Sequence, residues 1–121
     1  MAVRDGRIVH IGERAWVVNA LREAGDPFQE EHWPGIIAPG LVNAHTHLQY
    51  TDMAPVAERR YQGFEDWMVA FDEVYDAGGQ DWRAAAARGA AELIRTGTTA
   101  AADVVTDAEA ATALHDAGLH G

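Results

Sequence analysis

Two short strand-like runs, 41–48 and 98–105, enclose two stretches whose apolar residues repeat every 3.6 positions, and this alternation constrains the fold more than any other feature. In the first stretch Phe64, Trp67, Met68, Phe71, Val74 and Tyr75 fall on one helical face, with Glu65, Asp66, Asp72, Glu73 and Asp76 on the other. Gly78-Gly79 stops it. The second stretch opens at Asp81, a favourable N-cap, and runs from Trp82 to Arg95 with Trp82, Ala85, Ala86, Leu93 and Ile94 inward. Gly97 stands where a helix C-terminal glycine belongs. The run 98–105 is built of small and β-branched residues and suits a strand buried on both faces. Thr106-Asp107-Ala108-Glu109 has the spacing of a capping box and opens a helix through Leu114, ending near Gly118. Leu119-His120-Gly121 reads as the entry to another strand. Strands alternating with helices predict parallel βαβ units with right-handed crossovers.

Upstream the pattern changes. Asp5-Gly6 supplies two residues that tolerate positive φ, as a type I′ hairpin turn requires, between short strands at 3–4 and 7–11. A lone hairpin is marginal in water, so these strands are expected to join a larger sheet, with more sequence upstream. Residues 15–24 predict a short helix with Trp16, Ala20 and Leu21 on one side, ended by Gly25-Asp26-Pro27. Trp33-Pro34-Gly35 and Pro39-Gly40 bracket the apolar run Ile36-Ile37-Ala38. The chain therefore divides at residue 38, into a partial β segment (1–38) and an α/β segment (39–121).

Composition removes several function classes. The net charge of −10, from 9 basic and 19 acidic residues, argues against nonspecific nucleic-acid binding, which needs a Lys/Arg surplus. No apolar run approaches the roughly 20 residues of a membrane span, and the start lacks a signal-like apolar stretch. Without cysteine there is neither a disulfide framework nor a thiolate zinc site. The expectation is a cytoplasmic protein that engages a small molecule, neither nucleic acid nor membrane, with homo-oligomerisation left open.

The chemistry concentrates at His45-Thr46-His47. Residues two apart on a strand project to the same side, so this spacing offers two imidazoles to one metal ion at the polar C-terminal end of a buried strand. Asn43 shares that face, and Gln49 continues it if the strand persists, as a substrate-binding candidate. Gly40 leaves room for close backbone approach. A bare His-x-His equally suits surface or core histidines, and His10, His32, His115 and His120 are read that way. Asp103 either points into the site or caps the following turn. Trp67, Phe71 and Trp82 fit core packing better than a pocket for an aromatic base.

The phrase Pro39-Gly40-Leu41-Val42-Asn43-Ala44-His45-Thr46-His47-Leu48 resembles the first barrel strand of the amidohydrolase superfamily. The Asp5-Gly6 hairpin resembles that family's small β-sandwich, and Gly97-Thr98-Thr99 its second barrel strand. Position 49 is not Arg, so the His-x-His-x-Arg pattern of the dihydroorotase and hydantoinase branch is absent, and the chain looks like the one-metal deaminase and chlorohydrolase branch. Gly63-Phe64-Glu65-Asp66-Trp67, with Asp81-Trp82-Arg83, most resembles aminodeoxyfutalosine deaminases of menaquinone biosynthesis.

The resemblance implies the N-terminal part of a (β/α)₈ TIM barrel, about two βα units, preceded by part of a small β-sandwich. It implies one divalent metal, zinc ahead of iron, with His45 and His47 as two ligands. The implied reaction is hydrolytic deamination of an aminated purine nucleoside by a metal-activated water. The remaining ligands and the acid/base residues are expected beyond residue 121, since a complete barrel needs about 250 residues. The 121-residue chain alone is therefore expected to be inactive. Rival readings are another reaction of the branch (triazine dechlorination, guanine or S-adenosylhomocysteine deamination) and a non-catalytic truncated fragment. A structural metal module fits poorly, because it would need four clustered ligands.

Overall fold

The computed structural model describes residues 1–121, which divide into two compact units, Met1–Ile37 and Ala38–Gly121. In the first, strand β1 (Ala2–Arg4) pairs antiparallel with β2 (Arg7–His10). The turn between them places Asp5 at φ 50° and Gly6 at φ 73°, the left-handed pair that a type I′ turn demands. The two strands form a sheet of their own within this chain. Helix α1 (Arg14–Glu23) buries Val17 and Leu21. Trp16, expected inward, faces out: it lies five residues before Leu21, well round the helix, whereas Val17 lies four before it. Its ring meets His10 edge-on at 5.7 Å. A Schellman closure ends α1, with Gly25 N–H donating to Arg22 O (3.1 Å) and Asp26 N–H to Leu21 O (3.0 Å). The apolar run that follows forms no regular element, and Ile36 and Ile37 are exposed.

The second unit is α/β. Strand β3 (Leu41–Thr46) pairs in parallel with β4 (Thr98–Asp103). Between them come a kinked 3₁₀ segment (Leu48–Glu58), helix α2 (Phe64–Asp76) and helix α3 (Trp82–Arg95). The parallel βαβ pairing is the one the alternation predicted. An isolated parallel bridge joins His120 to Ala100 of β4, at the place where the sequence reads as a strand entry. It is secured by Ala101 N–H to His120 O (2.8 Å) and His120 N–H to Thr99 O (3.1 Å). Asp81 caps α3 by accepting from Ala84 N–H at 2.9 Å, and Gly97 follows its end at φ 87°.

Three expectations fail in instructive ways. Neither strand is buried on both faces. Leu41, Val42 and His45 of β3 are exposed, and in β4 only Thr98 and Ala101 are buried, since this chain covers one side alone. Ile94 also lies outward; the buried face of α3 is Ala85, Ala86, Gly89 and Ala90, small residues that let the helix approach the 3₁₀ segment. The core accordingly gathers Leu48, Ala86, Ala90, Ala110 and Ala113. Finally, the capping box does not form. A short 3₁₀ turn (Ala108–Ala110) precedes helix α4 (Ala113–Asp116), and Asp107 makes no cap bond. Thr106 and Asp107 are instead drawn into a polar cluster beside the histidines, described below.

No helix is long and apolar enough to cross a membrane.

Candidate metal site

β3 stops at Thr46, so His47 is the first residue beyond it, with φ −133° and ψ 79°, already off the extended region. The alternation still holds for one more residue, and both imidazoles turn to the same side. Their Nε2 atoms stand 3.2 Å apart, with the ring planes inclined at 65°. Two ligand nitrogens on one tetrahedral zinc, each about 2.0–2.1 Å from it, stand about 3.3 Å apart. The pair therefore fits two corners of such a shell. Without an ion the same spacing serves one N–H···N bond. His47 Nδ1 is buried and has no hydrogen-bond partner. Asn43 Oδ1 accepts the His45 backbone N–H at 3.2 Å, which stiffens the strand end. No group of three or more His, Cys, Asp or Glu side chains that could hold a metal ion exists in the chain.

Beyond His47 the backbone tightens, and Tyr50 N–H donates to His47 O at 3.0 Å. In a 3₁₀ turn side chains three apart eclipse one another, and the Tyr50 ring stacks on His47 at 5.4 Å with only 15° between planes. Tyr50 is in turn met edge-on by Phe71 (5.1 Å) and Trp82 (5.9 Å), and Trp82 stacks on Tyr75 (5.2 Å). Trp67 continues the row through Phe71 at 5.3 Å. Trp67, Phe71 and Trp82 are thus half-buried parts of an aromatic wall that reaches the histidines, not a closed core.

The tightening also moves Gln49. The strand that was to carry it along the histidine face has ended, and Gln49 is fully buried. Its Oε1 accepts Thr106 N–H (3.0 Å), and its Nε2 donates to Thr106 Oγ1 and to Asp107 Oδ2 (2.7 Å). The Thr106 hydroxyl donates to Asp107 Oδ2 (3.0 Å), which leaves Tyr50 OH to donate to Thr106 Oγ1 (2.9 Å). Tyr75 OH reaches both Asp107 oxygens at 3.4 Å. Burial, then the Asp107 charge, pushes the Tyr75 hydroxyl above its ordinary pKa. Asp103 turns to the start of the 3₁₀ segment that follows β3, where Oδ1 accepts Leu48 N–H at 2.9 Å. His32, His115 and His120 are exposed and stand in no metal-binding group.

Sequence reasoning did not single out Tyr50, Thr106 or Asp107. The signal for Tyr50 was its place three residues after His47, visible only once the strand is known to give way to a 3₁₀ turn. The stretch Thr106-Asp107-Ala108-Glu109 was seen, but as a capping box.

The amidohydrolase family profile matches residues 36–120. Among curated proteins, the chain is 33% identical over 106 residues to a 5-methylthioadenosine/S-adenosylhomocysteine deaminase of Nitratidesulfovibrio vulgaris, spanning 86% of this chain and 23% of that protein. A deaminase of the same name from Haloarcula marismortui is 37% identical over 90 residues, 70% of this chain and 20% of the relative. An imidazolonepropionase of Stenotrophomonas maltophilia is 38% identical over 80 residues, covering 65% and 17%. The chain spans about a quarter or less of the length of these relatives. No solved structure matches it. A profile match across most of the chain, over the βαβ unit and both histidines, shows that the chain belongs to the amidohydrolase family.

Proposed function

We propose that the complete gene product carrying residues 1–121 is a metal-dependent hydrolase that deaminates an adenosine-type nucleoside. The observation that carries this reading is the 3.2 Å approach of His45 Nε2 and His47 Nε2 at the end of β3. His45 and His47 would hold one divalent ion, zinc or iron, with further ligands supplied from outside these residues. When bound, such an ion supplies Lewis acidity that makes water a nucleophile near neutral pH. The chain's own residues orient that shell: Asn43 steadies the His45 backbone, and Tyr50 lies flat against the His47 ring. The wall of Tyr50, Phe71 and Trp82 offers planar, apolar surface beside the histidines, suited to a heteroaromatic base. In this reading β3 and β4 are the first two strands of a (β/α)₈ barrel, whose chemistry sits at the C-terminal strand ends. The β1–β2 hairpin belongs to a β-sandwich.

The names of the relatives favour 5-methylthioadenosine or S-adenosylhomocysteine as substrate, and the 63–67 and 81–83 stretches favour aminodeoxyfutalosine. A second reading is hydrolytic opening of a cyclic C–N bond, motivated by the imidazolonepropionase relative. The test is ammonia release by the complete, metal-loaded gene product from these three nucleosides and from guanine, with chloride release from a chlorotriazine and ring opening of imidazolonepropionate followed alongside. Ammonia from one of the adenosine-type nucleosides is expected. Turnover of imidazolonepropionate alone, or of none of the nucleosides with metal bound, overturns the proposal.

A further inference from the structure

A metal-binding imidazole is ordinarily aimed by a hydrogen bond to its second ring nitrogen. His47 lacks that bond: its Nδ1 is buried without a partner. Its orientation must come from elsewhere, and the structure offers three restraints, all reaching across from the end of β4. Thr46 O, just before His47, accepts Val104 N–H at 2.8 Å. Leu48 N–H, just after it, donates to Asp103 Oδ1 at 2.9 Å. The ring is covered by Tyr50, whose hydroxyl is held by Thr106 Oγ1 at 2.9 Å, and Thr106 is locked by the fully buried Gln49 and by Asp107.

We propose that Asp103 and the Gln49–Thr106–Asp107 cluster are positioning residues that aim His47 at His45, Asp103 through the Leu48 backbone and the cluster through the Tyr50 ring. Gln49 then acts on the ligand shell rather than on substrate, since both ends of its amide are engaged within the protein. The inference rests on reading His45 and His47 as metal ligands. It adds that the geometry of the first strand's ligand pair is set by the second strand's loop.

The test measures Zn²⁺ affinity of the complete gene product by competition with a chromophoric chelator, the visible spectrum of the Co²⁺-loaded protein, and the thermal unfolding midpoint. Asp103→Ala is expected to weaken Zn²⁺ binding about 10- to 100-fold, the range for lost outer-shell partners, and to alter the Co²⁺ bands. Asp103→Asn keeps an oxygen acceptor for Leu48 N–H and is expected to restore both. Thr106→Val keeps the backbone N–H that Gln49 binds but frees the Tyr50 hydroxyl, and is expected to weaken Zn²⁺ binding while the protein still unfolds cooperatively. Should Asp103→Ala fail to fold, Asp103→Asn and Thr106→Val carry the test. Wild-type affinity and spectrum in Thr106→Val, or in a folded Asp103→Ala, overturn the inference, as does an Asp103→Asn variant as weak as Asp103→Ala. His47→Ala separates the two levels. Wild-type Zn²⁺ binding in that variant sinks the metal reading itself, whereas its loss beside normal binding in the positioning variants sinks only this inference.

Discussion

Replacing Gln49 by Glu changes one donor into one acceptor at a fully buried position, and the consequence can be followed group by group. The amide orientation is dictated by its neighbours, because Thr106 N–H can only donate and must face Oε1. The introduced carboxylate keeps that bond. Its other oxygen takes the place of Nε2 and faces Asp107 Oδ2, which lies 2.7 Å from the amide nitrogen in the native protein. Two carboxylates with charge centres about 4 Å apart repel by about 4 kcal/mol at an effective dielectric of about 20. The pair relieves this by keeping a proton, so one member's folded-state pKa rises above its unfolded value of about 4. A raised folded-state pKa gives stability that is present below the unfolded value and is lost as pH rises through the folded one. Gln49→Glu should therefore lie nearest the wild type at about pH 4 and fall behind by about 1.4 kcal/mol per pH unit above the unfolded value, until the full repulsion is reached. Gln49→Leu is the control. It strips partners from Thr106 N–H and Asp107, for a loss of about 2–4 kcal/mol, with little added pH dependence. The assay is the unfolding free energy of the complete gene product in urea at several pH values, read as the difference between variant and wild type. A Gln49→Glu difference that stays constant with pH would refute the placement of the amide against Asp107.

Three further outcomes follow from the same unit. Gly89→Ala gains helix propensity worth about 1 kcal/mol, yet its Cβ would crowd Thr51 Oγ1 and stand 3.1 Å from Leu48 Cδ2 and 3.2 Å from Leu48 O; with overpacking costing about 1–3 kcal/mol, net destabilisation in thermal unfolding is expected, partly relieved by adding Thr51→Ala. Asp52→Ala removes the exposed bridge to Arg88, whose pKa that carboxylate raises, and should leave the thermal unfolding midpoint nearly unchanged, because α3 is held to the 3₁₀ segment by small apolar residues rather than by this pair. Tyr75 should ionise above the ordinary tyrosine range in an ultraviolet alkaline titration; its folded-state pKa is raised, so its contribution is intact below about pH 10 and lost as pH rises past it, and Asp107→Asn should bring its titration earlier.

The helices and the parallel pairing were legible because they rest on local periodicity. Six apolar positions at helical spacing in 64–75, the Asp81 cap and Gly97 each act within a turn or two of chain. The histidine pair was legible for the same reason, since strand alternation relates residues only two apart. What was not legible depends on partners far along the chain. Thr106 and Glu109 satisfy a local capping rule, but a buried glutamine 57 positions upstream of Thr106 competes for the threonine's polar groups and wins. A glutamine at 0% exposure must satisfy both ends of its amide inside the protein, whereas the N–H groups of a short surface turn can turn to water. That inequality shapes the region. The demand of one buried amide cancels a helix cap, draws the loop after β4 toward the 3₁₀ turn after β3, and leaves Tyr50 held flat against His47. The two loops are joined by the polar groups that burial leaves no other way to satisfy, and the histidine pair sits at that junction.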